Sequence, residues 1–144
     1  MLWNLRQYDP KTDESFVFNS WLKSFKDSRM VAGVSSTVYF AEMHEVIKGI
    51  LKATNTTLIV ACDQEDSSTI FGYAVAQQIG TALVIHWVYV KHPFRNFGVG
   101  RHLEAAVKST IPHESIAYSL ATKLTDVLTR KDAYVYNPFI LFKK

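Results

Sequence analysis

The sequence predicts an α/β (α+β) fold, in which a mixed, mostly antiparallel sheet carries helices on both faces. Three observations predict it. Two segments with apolar residues at helical spacing precede residue 55, three short β-branched and aromatic runs follow, and a third helical pattern comes after Pro93. Because 144 residues match the common size of one domain, we expect a single domain over residues 1–144.

A strand and two amphipathic helices are predicted first. Residues 2–8 form the strand, which Asp9-Pro10 ends as a turn signal. Thr12 or Asp13 offers an N-cap for the first helix. The core-facing stripe of that helix is Phe18, Trp21, Leu22 and Phe25. The stripe of the second helix, which ends near Asn55, is Phe40, Met43, Ile47, Ile50 and Leu51.

The rest of the chain predicts strands around a third helix. Three antiparallel strands cover residues 56–62, 70–78 and 82–90, with turn-forming residues between them. The helix after Pro93 has one apolar face, formed by Val99, Leu103, Ala106 and Val107. Beyond Pro112 we predict a strand at 116–120, a short helix at 124–128 and a final strand at 134–142.

Composition excludes several classes of protein. With 48% apolar and 20% charged residues the chain is not a disordered protein, and no apolar run approaches the roughly 20 residues of a membrane span. A net charge of +3 is small and dispersed, which does not favour nucleic-acid binding. The single Cys62 lies in an apolar run, so we expect a buried thiol and a cytoplasmic protein. No two histidines have the spacing of a zinc site, so no metal is expected.

The distribution of charge is more informative than its total. No acidic residue lies between Asp66 and Glu104, whereas Lys91, Arg95 and Arg101 fall in that interval. We therefore expect one local positive surface, for which a compact anionic ligand is the simplest partner.

The segment Arg95-x-x-Gly98-x-Gly100 joins the predicted strand 82–90 to the helix after it. Glycines at such a junction adopt positive φ without penalty and let a ligand approach the backbone. The first amides of a helix are unpaired and the helix dipole favours negative charge, so the junction suits a phosphate group. Arg95 and Arg101 would add charge-assisted contacts. The alternative is that both glycines only turn the chain.

With this motif and this order of elements, the sequence resembles the GNAT superfamily of acyl-coenzyme A-dependent N-acyltransferases. The family signature Gln/Arg-x-x-Gly-x-Gly/Ala stands here at residues 95–100, and specific similarity spans about residues 84–107. The resemblance implies acetyl-CoA as cofactor, with its pantetheine arm paired to Val88, Tyr89 and Val90. It also implies that backbone amides hold the pyrophosphate, namely those of Asn96, Phe97, Gly98, Val99, Gly100 and Arg101.

Acyl transfer to an amine needs a base for the amine and a donor for the oxyanion. The resemblance implies a backbone N–H near Val88 to Tyr89 as the donor and a carboxylate at position 84, where this sequence has Val84. His86 lies on the same strand face and titrates near neutrality, so it is the candidate general base. The alternative is a core histidine bonded to a backbone carbonyl. The tyrosine acid that the resemblance implies is missing from residues 122–130, so no general acid is assigned.

Two functions follow from these observations. The first is an N-acetyltransferase in which the primary amine of an unidentified acceptor attacks the acetyl-CoA thioester directly and releases coenzyme A. The alternative is an inactive GNAT-like CoA-binding or structural module, since the strand carboxylate and the tyrosine are missing. The sequence leaves self-association and the acceptor open, because acceptor grooves in this family are built from its least recognisable segments, here 25–40 and 122–142.

Overall fold

The computed structural model describes residues 2–121 and 134–142. Within these residues six strands form one sheet, in the order β1-β2-β3-β4-β5-β6. The helices and strands are β1 (Trp3–Gln7), α1 (Pro10–Lys26), α2 (Ser36–Lys52), β2 (Thr56–Asp63), β3 (Ile70–Ile79), β4 (Ala82–Val90), α3 (Val99–Thr110), β5 (Ser115–Tyr118) and β6 (Tyr134–Tyr136). Two short 3₁₀ helices cover His92–Phe94 and Pro138–Phe142.

The pairing of the strands confirms a mixed, mostly antiparallel sheet. The first four strands pair antiparallel with their sequence neighbours. β5 then pairs parallel with β4, and β6 pairs parallel with β5. A parallel pair requires a crossover between its strands, and α3 supplies the one between β4 and β5.

Helices cover both faces of the sheet, as predicted. The core between the sheet and helices α1 and α2 is rich in aromatic residues, among them Trp21, Phe25, Tyr39, Tyr73 and Trp87. The core between the sheet and α3 is built from smaller and aliphatic residues, among them Ala74, Ala76, Leu83, Ile85, Val99, Leu103 and Val107. Burial of each large apolar side chain contributes about 1.5–3 kcal/mol, so both layers stabilise the sheet.

The start of α1 differs from the prediction. Asp9 is its N-cap, and the carboxylate of Asp9 accepts a hydrogen bond from the Lys11 amide at 3.0 Å. Pro10 is the first helical residue rather than part of a turn, because its fixed φ suits that position and it has no amide to leave unpaired. Asp13, one of the two predicted caps, is instead buried and accepts two hydrogen bonds from Arg6, at 2.7 and 2.9 Å.

The buried face of α2 was predicted with one wrong member. Tyr39, not Phe40, continues the stripe of Met43, Ile47 and Ile50, and the Tyr39 hydroxyl donates to the Leu22 carbonyl. Phe40 is 41% exposed. Tyr39 precedes Met43, Ile47 and Ile50 by four, eight and eleven residues, so all four lie on one face of the helix. Phe40, one residue later, lies to the side of that face.

The C-terminal elements are shorter than predicted. The final strand ends at Tyr136, and Pro138 begins a 3₁₀ helix, because proline has no amide to donate to a ladder. β5 lies at Ser115–Tyr118 rather than at 116–120. The helix predicted at 124–128 lies outside the described residues. Cys62 is buried, as expected. None of the helices in the described segments is long and apolar enough to cross a membrane.

Candidate functional site

A β-bulge interrupts β4 at its centre. Val75 of β3 pairs with Trp87, but the next residue, Ala76, pairs with Ile85, so His86 is the extra residue of β4. A bulge bends its strand and increases the local twist. The bend occurs where β4 separates from β5.

Beyond the bulge, β4 and β5 are no longer paired, and we call the place where they separate the fork. Their parallel pairing ends at Ile85 and Tyr118, and the last backbone bond runs from the Ser119 amide to the Ile85 carbonyl at 3.3 Å. The second half of β4, residues 87–90, pairs with β3 alone. Within the described segments this edge of β4 has no strand partner.

The second half of β4 directs backbone groups into the fork. The Lys91 amide donates to Phe71 of β3 at 2.8 Å. Because backbone directions alternate along an antiparallel strand, Tyr89 also faces β3, whereas Val88 and Val90 face the fork. The Val90 carbonyl accordingly accepts a hydrogen bond from Arg95 Nε at 2.8 Å. Of the two predicted oxyanion donors, only the Val88 amide is therefore directed into the fork.

The loop after β4 is docked on the sheet by an aromatic stack. The ring of Phe94 lies parallel to that of Phe71, with 3.9 Å between ring centroids. Two backbone bonds close the 3₁₀ turn below it, from Phe94 to Lys91 and from Arg95 to His92. These contacts fix where the chain enters α3.

Residues 96–101, which we call the amide cradle, present unpaired backbone N–H groups. Asn96 and Gly98 have φ of 69° and 92°, both in the left-handed region. Gly98 is the N-cap of α3 and has no capping side chain. The first backbone bond of the helix runs from His102 to Gly98, and in the described part of the chain no cradle amide donates to a backbone carbonyl. Alternating backbone handedness at a helix N-terminus forms an anion-binding concavity.

The three cationic side chains predicted to form one positive surface around this loop do not all lie together. Arg95 and Arg101 are exposed at the cradle. Lys91 instead lies over the ring of Phe16 of α1, with its ammonium 5.0 Å from the ring centroid. His102 Nδ1 accepts a hydrogen bond from the Trp3 indole at 3.0 Å. Two of the three predicted cations therefore remain beside the cradle.

His86 lies in the core at the base of the fork. It is 2% exposed, and both ring nitrogens have partners: Nδ1 lies 2.6 Å from Ser119 Oγ and Nε2 lies 2.8 Å from Gln77 Oε1. Burial lowers its pKa to about 4. This arrangement is close to the core histidine that the sequence left open, with side chains instead of a backbone carbonyl as partners. Val84 is fully buried nearby on β4, where the family resemblance implied a carboxylate.

Gln77 and Ser119 were missed by the sequence analysis. Each is a polar residue in a mostly apolar run, half-buried Gln77 in Ile70–Ile79 and fully buried Ser119 in residues 116–120. That pattern was the available signal, because a polar side chain in a buried strand needs a partner. Their contact with His86 spans 9 and 33 residues of sequence and could not be read from local spacing.

The loop between α1 and α2 reaches the far side of the fork. Met30 Sδ accepts hydrogen bonds from the Ala121 amide at 3.3 Å and from the Tyr136 hydroxyl at 3.1 Å. The ring of Tyr136 stacks on that of Tyr118, with centroids 5.1 Å apart. This wall is apolar and aromatic. Among the described residues no cluster of three or more His, Cys, Asp or Glu side chains could hold a metal ion.

The fold is similar to that of solved acetyltransferases. A protein named as an acetyl transferase from Pyrococcus furiosus is 14% identical, with 90% of each chain covered and a TM-score of 0.69. A protein named as a predicted acetyltransferase from Clostridium acetobutylicum, solved with acetyl-CoA, is 18% identical over 90% of this chain and 88% of its own, with a TM-score of 0.66. An acetyltransferase of the GNAT family from Staphylococcus aureus Mu50 is 14% identical over 90% and 79%, with a TM-score of 0.59.

Comparison of sequences adds nothing to this likeness. No family model matches the sequence, and no curated protein matches it significantly. At identities of 14–18% the solved structures establish the fold. The chain therefore has the fold of the GNAT acetyltransferases, as the resemblance of residues 84–107 implied.

Proposed function

We propose that the protein is an N-acetyltransferase that uses acetyl-CoA and a primary amine. The observation that carries the proposal is the amide cradle at the N-terminus of α3, adjacent to the unpaired edge of β4. Each presents backbone groups that pair with no strand or helix among the described residues, and the loop of residues 91–95 connects the two. The solved structure from Clostridium acetobutylicum, of the same fold, contains acetyl-CoA.

The residues present suit a nucleotide with a pantetheine arm. The cradle would hold the pyrophosphate through its amides, and Arg95 and Arg101 would add charge. The amide and carbonyl of Val88 and the amide of Val90 face the fork and would pair with the pantetheine, as an added strand does, while the Val90 carbonyl is bonded to Arg95. Phe97, which is 55% exposed beside Gly98, would cover part of the ligand.

In the proposed reaction the amine attacks the thioester carbonyl in the fork. A C–N bond forms, the Val88 N–H stabilises the oxyanion, and the C–S bond breaks to release the coenzyme A thiolate. The amine loses one proton and the thiolate gains one. We assign the proton of the amine to water in the fork rather than to His86, because a buried imidazole with a pKa of about 4 is a weak base at neutral pH.

A second function rests on a separate observation. Val84 and His86 are both buried, so the described part of β4 presents no titratable side chain other than Tyr89 to the fork. This favours a module that binds coenzyme A without catalysing transfer. The two functions share the coenzyme and differ in turnover.

Binding and turnover are measured separately to test the proposal. Acetyl-CoA at 100 times its dissociation constant should stabilise the folded protein by about 2.7 kcal/mol, seen as a rise in Tm. Release of free thiol from acetyl-CoA should then depend on an added amine from a panel of small, peptidyl and aromatic amines. Binding without amine-dependent thiol release would support the inactive module, and no binding would contradict both functions.

A matched pair of glycine variants locates the binding site. Gly98→Ala and Gly80→Ala both place a side chain at positive φ, and neither added Cβ meets an atom within 4 Å. Both should lose similar stability, about 1 kcal/mol. Only Gly98→Ala should weaken acetyl-CoA binding, because Gly80 lies in the turn between β3 and β4. Equal affinities in the two variants would contradict the cradle as the coenzyme site.

A further inference from the structure

A chain of polar side chains crosses three strands at the base of the fork. Gln77 belongs to β3, His86 is the bulge residue of β4, and Ser119 follows β5 directly. Nδ1 of the imidazole lies 2.6 Å from Ser119 Oγ, and Nε2 lies 2.8 Å from Gln77 Oε1. Ser119 is 0% exposed, so this chain is closed to solvent at its inner end.

The direction of every hydrogen bond in the chain follows from its outer end. Asn55 Nδ2 donates to the Gln78 carbonyl at 2.6 Å, which leaves Asn55 Oδ1 to accept from Gln77 Nε2 at 2.9 Å. Gln77 Oε1 can then only accept, so His86 Nε2 carries a proton. The neutral ring has a bare Nδ1, which accepts the hydroxyl proton of Ser119. One tautomer of His86 therefore satisfies all four side chains.

These hydrogen-bonded side chains lie at the last backbone hydrogen bond between β4 and β5. The Ser119 amide donates to the Ile85 carbonyl, and the Ser119 hydroxyl donates to the next residue, His86. Past this point no backbone bond joins the two strands in the described residues. His86 and Ser119 are the buried members of this network, and a satisfied buried pair favours one arrangement because a shift leaves its polar atoms unpaired.

We propose that Gln77, His86 and Ser119 are positioning residues that fix the angle at which β4 and β5 separate, and thereby the edge of β4 that receives the coenzyme. The part concerning the coenzyme rests on the proposed function. A hydroxyl, an imidazole and a carboxylate in this order activate nucleophilic serines in other folds, whereas the third group here is the Gln77 amide. Full burial of the Ser119 hydroxyl opposes that role here.

The state of the imidazole is tested without any ligand. Nitrogen-15 NMR of the ring should show the neutral Nε2–H tautomer throughout pH 5.5–8, since the pKa lies at about 4. Protonation with a midpoint near 6.5, or the Nδ1–H tautomer, would overturn the proposal. In Ser119→Ala the exchange rate of the amide of residue 119 should rise at least tenfold, whereas Ser119→Thr, which keeps the hydroxyl, should restore protection. Equal exchange in the two variants would also overturn it.

The consequence for the coenzyme is tested with the same variants. Ser119→Ala should weaken acetyl-CoA binding about tenfold and raise the coenzyme KM similarly, with kcat changed less than threefold and the pH profile unchanged. Ser119→Thr and the exposed control Ser109→Ala should resemble the wild type. If His86→Gln loses kcat alone, and its pH–rate profile loses one limb, His86 is the general base and the proposal is overturned. An acetyl adduct on Ser119 would also overturn it.

Failure of the proposed function is distinguishable from failure of this inference. If the wild type does not bind acetyl-CoA, the proposed function and the coenzyme part of the inference both fall. The tautomer and amide exchange still decide whether the three residues fix the fork, because neither measurement uses a ligand.

Discussion

The two halves of β4 are both apolar but have different surroundings. Residues 82–85 are bonded to β3 on one side and to β5 on the other. Residues 87–90 are equally apolar and pair with β3 alone. A single extra residue, His86, separates the halves. The first half is bonded to strands on both sides, and in the proposed function the second half offers its free backbone groups to the coenzyme.

The comparison teaches that register, rather than residue type, creates the candidate site. An unpaired strand edge is normally a liability, since it can pair with another chain. Here the edge faces the fork and precedes a loop whose amides are also unpaired. Disturbing either half of β4 should therefore have different results, from large losses of stability to changes seen only on ligand binding.

The largest effect is expected where the second half of β4 meets β3. An added Cβ at Gly72 would lie 2.3 Å from the Tyr89 carbonyl oxygen, which is backbone and cannot rotate away. Gly72→Ala should lower the free energy of unfolding by about 3 kcal/mol, measured by urea denaturation. The control Gly49→Ala, inside α2 with open space around it, should raise it by about 0.5–1 kcal/mol. Similar stabilities for the two variants would contradict the close approach of β3 and β4.

The burial of His86, which separates the two halves of β4, predicts that stability depends on pH. Burial lowers the pKa of His86 from 6.5 to about 4, so between these values the unfolded chain binds a proton that the folded protein does not. Stability should therefore fall by about 3 kcal/mol as the pH drops from about 6.5 to 4.

A comparison with His86→Gln isolates this effect. The variant should lose stability at pH 7 and show a flatter pH dependence, measured by denaturation at each pH. The exposed His44→Gln control should keep the slope of the wild type. Identical slopes in all three proteins would show that His86 is not held neutral by the fold.

A smaller effect is expected in the loop that follows β4. Phe94→Ala removes the stack on Phe71, which contributes about 1 kcal/mol, and the apolar burial of the half-buried ring, so it should lower the free energy of unfolding by about 2 kcal/mol. Acetyl-CoA binding should also weaken, because the loop leads into the cradle. Phe40→Ala, at an exposed position of α2, should change both quantities little. Binding calorimetry and thermal unfolding measure the two effects. An unchanged affinity in Phe94→Ala would show that the loop does not position the cradle for acetyl-CoA.

The smallest effect on stability is expected at the cradle surface. Arg101→Gln and Lys48→Gln remove the same charge from exposed positions and should each change stability by less than about 0.5 kcal/mol. Only Arg101→Gln should weaken acetyl-CoA binding, and the difference should shrink as salt is raised. Equal affinities of the two variants at low salt would place the nucleotide elsewhere.

Most of the fold could be predicted because its signals are local. The stripe of Trp21 and Phe25 has helical period, and the β-branched runs between turn residues predict strands. The errors arose where one residue type serves two structures. Asp9-Pro10 occurs both in turns and at helix starts, and the choice was settled by the contacts of Asp13 with Arg6, seven residues away.

The candidate site was predictable only in its loop. The glycines of the cradle and the neighbouring arginines form a contiguous motif, so their position could be read from residues 95–101. The bulge at His86 depends on how β3 and β4 pair, and its link to Ser119 depends on a crossover through α3. Neither leaves a periodic signal in the sequence. The general-base role of His86 stays a prediction, against which its burial weighs.

Backbone NMR during titration with coenzyme A tests the central claim most directly, since it reports each amide of the fork and the cradle. The largest shifts are expected at the amides of Val88 and residues 96–101, with little change along the paired half of β4 at residues 82–85. Shifts concentrated elsewhere, or none at millimolar coenzyme A, would contradict it.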